Sequence, residues 1–429
     1  MRPTLFLAAL FACGGVNATT FVVTSTDDTC ELSQQCLRRA IALANANPDA
    51  DAIVFDIPGD PAQPKRILLG SPLVVTQPVV IDGYTQPGAS PNTLEEGTNA
   101  QVRIVLDASG AGGAASAMSV KAGPTDIRGV TLVGADYAGL WIDVDAAEVE
   151  LRGSFVGVEP DGVTAAPNRW GLAVNGEFNV IGGVEPADRN LISGNRWSGL
   201  TLYGNRSIRN AVVGNLIGTD RHGAPVLGNG WSGVQVTFAR LTRIGGYSRA
   251  LQNVIAGNGH SGVQLHGTEV QNIEVASRIF ANSPIYGAIG NDCTVANDPG
   301  DIDGGGNECL NHPVISSARV TAGELVIEGA FDSVPNRPGR VALYGNTQAC
   351  AGGAGGGGET RHFLGYVAVA TDAGGHAAFR FVAPPGAYTS VAAIAGVGQE
   401  DLYVDSTSRV SPCVGIVHAD RIFADAFGG

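Results

Sequence analysis

One short phrase recurs along the chain and limits what it can fold into. Asn195-Arg196-Trp197-Ser198-Gly199-Leu200-Thr201-Leu202 returns as Asn229-Gly230-Trp231-Ser232-Gly233-Val234-Gln235-Val236 and as Asn258-Gly259-His260-Ser261-Gly262-Val263-Gln264-Leu265. Each copy reads as a polar turn followed by a strand. A unit of this size cannot bury its apolar residues alone, so copies must stack on one another. Strands of this type begin near Ala117, Gly139, Gly171, Gly199, Gly233 and Gly262, at intervals of 22, 32, 28, 34 and 29 residues. Two shorter apolar runs follow each of them, as Leu200 to Leu202 is followed by Ala211 to Val213 and Leu216 to Ile217. Three strands per coil plus one variable loop fit these intervals, whereas leucine-rich or hexapeptide repeats are shorter. The 61 glycines and 15% charged residues suit such a turn-rich β protein.

The N-terminal part carries further signals. Met1-Arg2, the apolar run Leu5 to Cys13 and Val16-Asn17-Ala18 have the three regions of an export signal with cleavage after Ala18. Acylation of Cys13 is opposed by the bulky Phe11. Thr20 to Ser25 alternates like a strand, and Ser33 to Asn45 places Leu37, Ala40, Ile41 and Ala44 at helical spacing. Ser33 is the expected cap and Pro48 the stop. A helix laid over the first coil would shield its unpaired backbone.

Leu37-Arg38-Arg39-Ala40-Ile41, Ile53-Val54-Phe55-Asp56-Ile57-Pro58-Gly59 and Ile81-Asp82-Gly83-Tyr84-Thr85-Gln86-Pro87-Gly88-Ala89-Ser90-Pro91-Asn92 add a resemblance. With Asn190-Leu191-Ile192-Ser193-Gly194-Asn195 and Gly214-Asn215-Leu216-Ile217-Gly218-Thr219-Asp220, they resemble the exported bacterial β-helix proteins of the CSLREA-domain family over residues 20 to 315. The chain departs from that family's naming segment: Cys36 stands for its Ser, Gln35 for its Cys and Arg39 for its Glu. The resemblance implies a right-handed parallel β-helix and no established catalytic residue.

From Pro313 the pattern changes to alternating strands, Glu324 to Glu328, Arg340 to Tyr344, His362 to Ala370, Ala377 to Val382 and Thr389 to Ala395. Turn residues and a Gly352 to Gly358 run separate them, as in an immunoglobulin-like β-sandwich. The expected organisation is an export signal at 1–18, a strand and capping helix at 19–66, the β-helix at 67–312, the sandwich at 313–417 and a tail at 418–429. Gly304-Gly305-Gly306 and the polar residues around it are expected to close the solenoid. The tail, Asp420 to Phe427, resembles one found on exported proteins of some gamma-proteobacteria. Apart from Cys13 the cysteines fall into neighbours along the chain, Cys30 with Cys36, Cys293 with Cys309 and Cys350 with Cys413. In an exported protein an even number suggests disulfides, and proximity suggests this pairing. The wide spacings disfavour zinc.

A net charge of -14 argues against nucleic acid and anionic membrane surfaces as partners, and no run after the export signal reaches membrane-span length. Acidic polysaccharide meets the same objection unless a cation bridges it. Asn195, Asn215, Asn229 and Asn258 read as turn formers that tolerate left-handed backbone, and Asp161-Gly162 and Asp220 as turn residues. Tyr137, Trp170, Trp197, Trp231, His260 and Tyr286 fall in the turn before successive strands, although Trp170 is one residue out of register with its Gly. Coils about 4.8 Å apart would stack these rings into a column. The column reads either as packing or as a platform for sugar rings, with Arg169, Arg196 and Asn195 reaching hydroxyls.

Asp298, Asp301, Asp303 and Asn307 alternate on a glycine-rich loop between two cysteines, as calcium or a solvated turn requires. No other cofactor is implied. Asp143, Asp145, Glu148 and Glu150, with Arg152, are the best catalytic candidates, since glycosidases need paired carboxylates and lyases a base with a cation. The strand segments Leu200 to Leu202, Val234 to Val236 and Val263 to Leu265 of later coils present Thr, Gln and apolar residues instead of acids. The favoured expectation is a secreted or cell-surface protein that binds polysaccharide or a surface glycan without catalysis. The alternatives are a polysaccharide lyase or glycoside hydrolase, and an inert spacer. The sequence does not fix the oligomeric state.

Overall fold

The computed structural model describes residues 18–418 except 31–34, 284, 286, 292, 294–295, 303–305, 351–357 and 399–405. The export signal up to Asn17, Ser33, Tyr286, Asp303, Gly304, Gly305 and the tail from residue 419 lie outside the described residues. The expected architecture is present: a parallel β-helix of three stacked sheets, followed by a β-sandwich.

Sheet I holds the strands that the repeated phrase introduces. They are Leu73–Val75, Met118–Val120, Ala138–Ile142, Trp170–Val174, Leu200–Tyr203, Val234–Thr237, Val263–His266 and Ile289–Asn291. Sheet II has nine strands, from Thr20–Val23 and Asp51–Phe55 to Arg240–Gly245 and Gln271–Ala276. Sheet III has eight, from Lys65–Leu68 to Arg278–Phe280. All pairings are parallel and in register, so like residues stack: Leu140, Leu172, Leu200, Val234 and Val263 form one fully buried file. The boundary expected near residue 67 moves, because Thr20–Val23 already pairs with Asp51–Phe55 as the first strands of sheet II.

The asparagines shape the corners in a way that the sequence reading did not anticipate. None of Asn195, Asn215, Asn229 and Asn258 adopts the left-handed conformation, which instead falls on the preceding Gly194, Gly214 and Gly257. Their side chains point inward and form ladders. At the corner from sheet III to sheet I, the Oδ1 of Asn195, Asn229, Asn258 and Asn282 each accepts from the backbone N–H and the Nδ2 of the ladder residue one coil before. A second ladder, Asn190, Asn215 and Asn253, lies between sheets II and III, and a pair, Asn179 and Asn210, between sheets I and II. Each buried amide thereby satisfies corner backbone that strand pairing leaves unpaired.

The helix Leu37–Asn45 covers the first coil, burying Leu37, Ala40, Ile41 and Ala44 as the spacing predicts. Cys36 stands at its N-cap, with no side-chain hydrogen bond there. Arg38 fastens the helix to Asp28 and to the Ser71 and Pro72 carbonyls, and Asn45 bonds Val74 and Thr76.

At the other end Asn307 bonds Ile273 in the last strand of sheet II, and the sandwich covers the last coil beside it. Thr360 exchanges backbone hydrogen bonds with Ile279, and Thr407 Oγ1 accepts from the Val275 N–H. The sandwich pairs Val314–Thr321, Glu324–Asp332 and His376–Ala383 in one sheet and Pro338–Asn346, His362–Ala370 and Ser390–Val397 in the other. Val341, Leu343, Val391, Ala393 and Ala395 face the sandwich core, whereas Ala342, Tyr344, Ala392 and Ile394 join the solenoid core. Burial on both faces explains the unbroken small apolar run of Ser390–Val397. The disulfides join Cys30 to Cys36, Cys293 to Cys309 and Cys350 to Cys413.

A strap, residues 88–102, runs lengthwise over sheet III. Its Ala100 and Val102 pack on Phe155, Leu191 and Leu216, which occupy successive rungs. Arg189 donates to the carbonyls of Leu94, Glu95 and Gly97, and Arg221 to those of Thr98 and Ala100. Glu96 reaches Arg249 and Arg278, the latter at 2.8 Å.

Two predictions follow from these contacts. Asn229→Ala removes the acceptor of two Asn195 donors, so it should lower unfolding free energy by about 1–3 kcal/mol, as when a buried group is orphaned. The exposed Asn205→Ala should stay within about 0.5 kcal/mol of wild type; denaturant melts of both compare them. Burial alone would raise the Glu96 carboxyl, but the hydrogen bonds from Arg249 and Arg278 outweigh it and hold the group below its ordinary value. Its contribution is therefore full above the ordinary carboxylate pKa and is lost as pH falls through the lower folded value. Protection factors of strap amides, taken relative to the intrinsic exchange rate at each pH, should fall over that interval in wild type and already be low at neutral pH in Glu96→Gln.

Candidate functional site

The outer face of sheet I carries three files of side chains. The middle file is Trp141, Ala173, Thr201, Gln235 and Gln264, in strand register. Gln235 Oε1 accepts from Ser198 Oγ and Gln264 Oε1 from Ser261 Oγ, each at 3.0 Å, which turns the amide nitrogens to the other side. One flank holds Tyr203, Thr237 and His266, with Tyr203 edge-on to Phe238 beside a shallow depression lined by Gly204, Asn205, Phe238, Arg240 and Glu269.

The other flank is the aromatic column. Measured from the ladder asparagines its register is uniform, because Trp170, Trp197, Trp231 and His260 each lie two residues after Asn168, Asn195, Asn229 and Asn258. The apparent slip of Trp170 arises on its far side, where the turn is one residue shorter before the strand. Tyr137 meets Trp170 edge-on at 4.9 Å, Trp170 lies 5.4 Å from Trp197, and Trp231 stacks on His260 at 4.3 Å and 17°.

Exposure divides the column. Trp197 and Trp231 are 47% and 43% exposed, Tyr137 and Trp170 are half-buried, and His260 is buried. Two neighbouring indoles therefore face solvent around a depression that they line with Arg196 and Gly230. Burial holds the His260 imidazole below its ordinary pKa, and Ser232 Oγ lies 3.3 Å from its Nδ1, so the ring supports Trp231 in the neutral form. Asn195, expected to reach a ligand, is instead buried in the ladder.

Basic groups flank the indoles. The Arg169 guanidinium lies 4.8 Å from the Trp170 ring and 5.3 Å from that of Trp197. Arg196 is 3.5 Å from Asp136, and both are about half exposed.

The proposed catalytic cluster divides between two places. Asp143, Asp145 and Glu148 lie in the turn between sheets I and II, and Asp145 pairs with Arg206 at 3.1 Å. Glu150 and Arg152 stand on the outer face of sheet II, where they meet Asp126 and Asp188, which the sequence reading missed. Arg152 is 2.7 Å from Asp126, 3.1 Å from Glu150 and 4.0 Å from Asp188, and Arg128 pairs with Asp82 at 2.8 Å. Asp126-Ile127-Arg128 and Glu150-Leu151-Arg152 repeat an acid-apolar-base pattern on adjacent rungs, a signal that was available. Burial raises Glu150 and Asp188 above ordinary carboxylates, and neighbouring Asp126 adds to it against the opposing pull of Arg152.

The proposed calcium loop is built into the domain junction. Asn307 is fully buried, accepting from the Ile273 N–H and donating to the Ile273 and Thr407 carbonyls. Asp301 accepts from the Asn311 N–H and Ser333 Oγ, and Asp298 from the Ile302 N–H. Among the described residues no group of three or more His, Cys, Asp or Glu side chains converges as metal ligands. These contacts place Asn307 and Asp301 in structural roles.

Comparison with family models gives no match for this chain, and comparison with curated proteins gives none either.

The sheet II cluster generates a prediction. Arg152→Met keeps the apolar stem but leaves Asp126, Glu150 and Asp188 without their shared cation. The variant should lose about 1–3 kcal/mol at neutral pH, where the carboxylates are charged, with the deficit shrinking as acid neutralises them. Thermal melts at pH 7 and 4 read both effects, and equal melting of the two proteins at pH 7 would show the network to be incidental.

Proposed function

We propose that this is an extracellular, non-catalytic binding protein of the CSLREA-type β-helix group, which holds a polysaccharide or surface glycan on the outer face of sheet I. The observation that carries the reading is the pair of neighbouring exposed indoles, Trp197 and Trp231, beside Arg196. Solvated indoles on adjacent rungs are an apolar patch of the kind that marks a partner. A sugar ring offers the matching chemistry, since its C–H face stacks on the indole while its hydroxyls take hydrogen bonds at the rim. The amide nitrogens of Gln235 and Gln264 supply donors on the adjoining file. Three disulfides fit an oxidising compartment, and among the described residues no helix is long and apolar enough to cross a membrane.

One observation favours the alternative of a lyase or hydrolase: Glu150 and Asp188 hold their protons more tightly than ordinary carboxylates, as a general acid must. The binding reading stands ahead of it because Arg152 occupies the space between acids and compensates them.

Titration calorimetry against a panel of neutral and acidic polysaccharides tests the proposal. Trp197→Ala and Trp231→Ala should each weaken binding roughly ten-fold, the worth of about 1.4 kcal/mol of stacking, with unchanged circular dichroism. Unchanged binding in both variants removes the platform. New reducing or unsaturated ends, lost in Glu150→Gln, establish the enzyme instead, and absence of any binding leaves a spacer.

A further inference from the structure

Resting on that binding reading, we infer that the glycan is acidic and that Arg169 recognises its carboxylate or sulfate. Arg169 is exposed, and its side chain has no ion pair or hydrogen bond with any described residue. The chain has 40 acidic against 26 basic residues, and Arg38, Arg128, Arg152, Arg206 and Arg278 all have carboxylate partners. Arg209 also lies on a ring without one among the described residues, but at Phe178, whereas Arg169 lies beside the exposed indole of Trp197.

Its position is fixed without a partner. The guanidinium lies against the Trp170 and Trp197 rings, so attraction to the ring faces holds the planar group in place. A guanidinium held by rings and not by carboxylates keeps its N–H donors for a ligand, and a fork of donors suits a carboxylate or sulfate in two-point contact. Less rotamer freedom is then lost on binding than for a free arginine.

The location fits the same ligand. Trp197 touches Arg169 and also lines the open depression, so a sugar ring seated on Trp197 brings its substituents to the guanidinium. Arg196, in the same depression, pairs among the described residues with the half-exposed Asp136 at 3.5 Å and can turn to a second anionic group. Asp136 is the carboxylate that such a ligand must face. The net charge of -14 opposes an acidic polymer at long range, but screening over about 8 Å at physiological salt leaves the two nearby guanidinium groups to decide the contact. A requirement for a bridging cation thereby falls away.

The test uses oligogalacturonate, the same oligosaccharide after reduction of its carboxyl groups, and a sulfated dextran beside unmodified dextran, measured by calorimetry in the presence of a chelator. Wild type should bind the acidic member of at least one pair roughly ten-fold more tightly than its neutral partner. The pair that shows it identifies carboxylate or sulfate as the group. Arg169→Met and Arg169→Gln should abolish that preference, so that the acidic member binds no more tightly than its neutral partner. Retention of the preference in both variants, with native circular dichroism, overturns the inference. Equal binding of acidic and neutral members by wild type, still lost in Trp197→Ala, overturns the charge assignment alone. No binding of any probe overturns it together with the platform.

Discussion

Every strand of the solenoid pairs with the same strand of the neighbouring coils, so each corner must keep one conformation along the axis. Strand hydrogen bonds cannot enforce this, because they stop where the chain turns. Corner amides and carbonyls are nonetheless buried, and a buried unpaired peptide group is expensive. The asparagine ladders resolve the conflict at all three corners, most extensively where sheet III passes into sheet I. The aromatic column depends on the same device. Its rings follow the ladder residues by two positions, so the asparagines that align the backbone also bring the indoles to adjacent rungs.

The two ends solve a different problem. A stack of coils exposes apolar cross-section and unpaired strand edges at each terminus, which invites further pairing. At the start a short amphipathic helix is enough. At the finish the sandwich contributes a sheet buried on both faces, with Thr360 and Thr407 pairing edge backbone. The two domains therefore share a core.

The architecture was legible because its determinants are local and repeated. Strand starts, the three-strand coil and the ring positions are carried by short phrases that recur, and the capping helix by its own apolar spacing. What was not legible depends on which coils meet and how deep a side chain lies. Asn195 looked like a left-handed turn residue with a free amide, yet Gly194 supplies the conformation and the amide is buried. Asp188 is 36 residues from Arg152 in the chain, and only the coil stacking brings them to 4.0 Å. Asn307 sits among acids in sequence, but its amide joins the last strand of sheet II to the sandwich.

The strap alters how the molecule can come apart. Coils that touch only their neighbours unfold independently, and a solenoid then frays from its ends. Here a segment that belongs to an early coil is held by Arg189, Arg221, Arg249 and Arg278, which belong to successively later ones. Peeling away a late coil requires release of an early loop. The strap therefore converts a chain of nearest-neighbour interfaces into a more cooperative unit, in which opening at the end adjoining the sandwich is felt near the beginning.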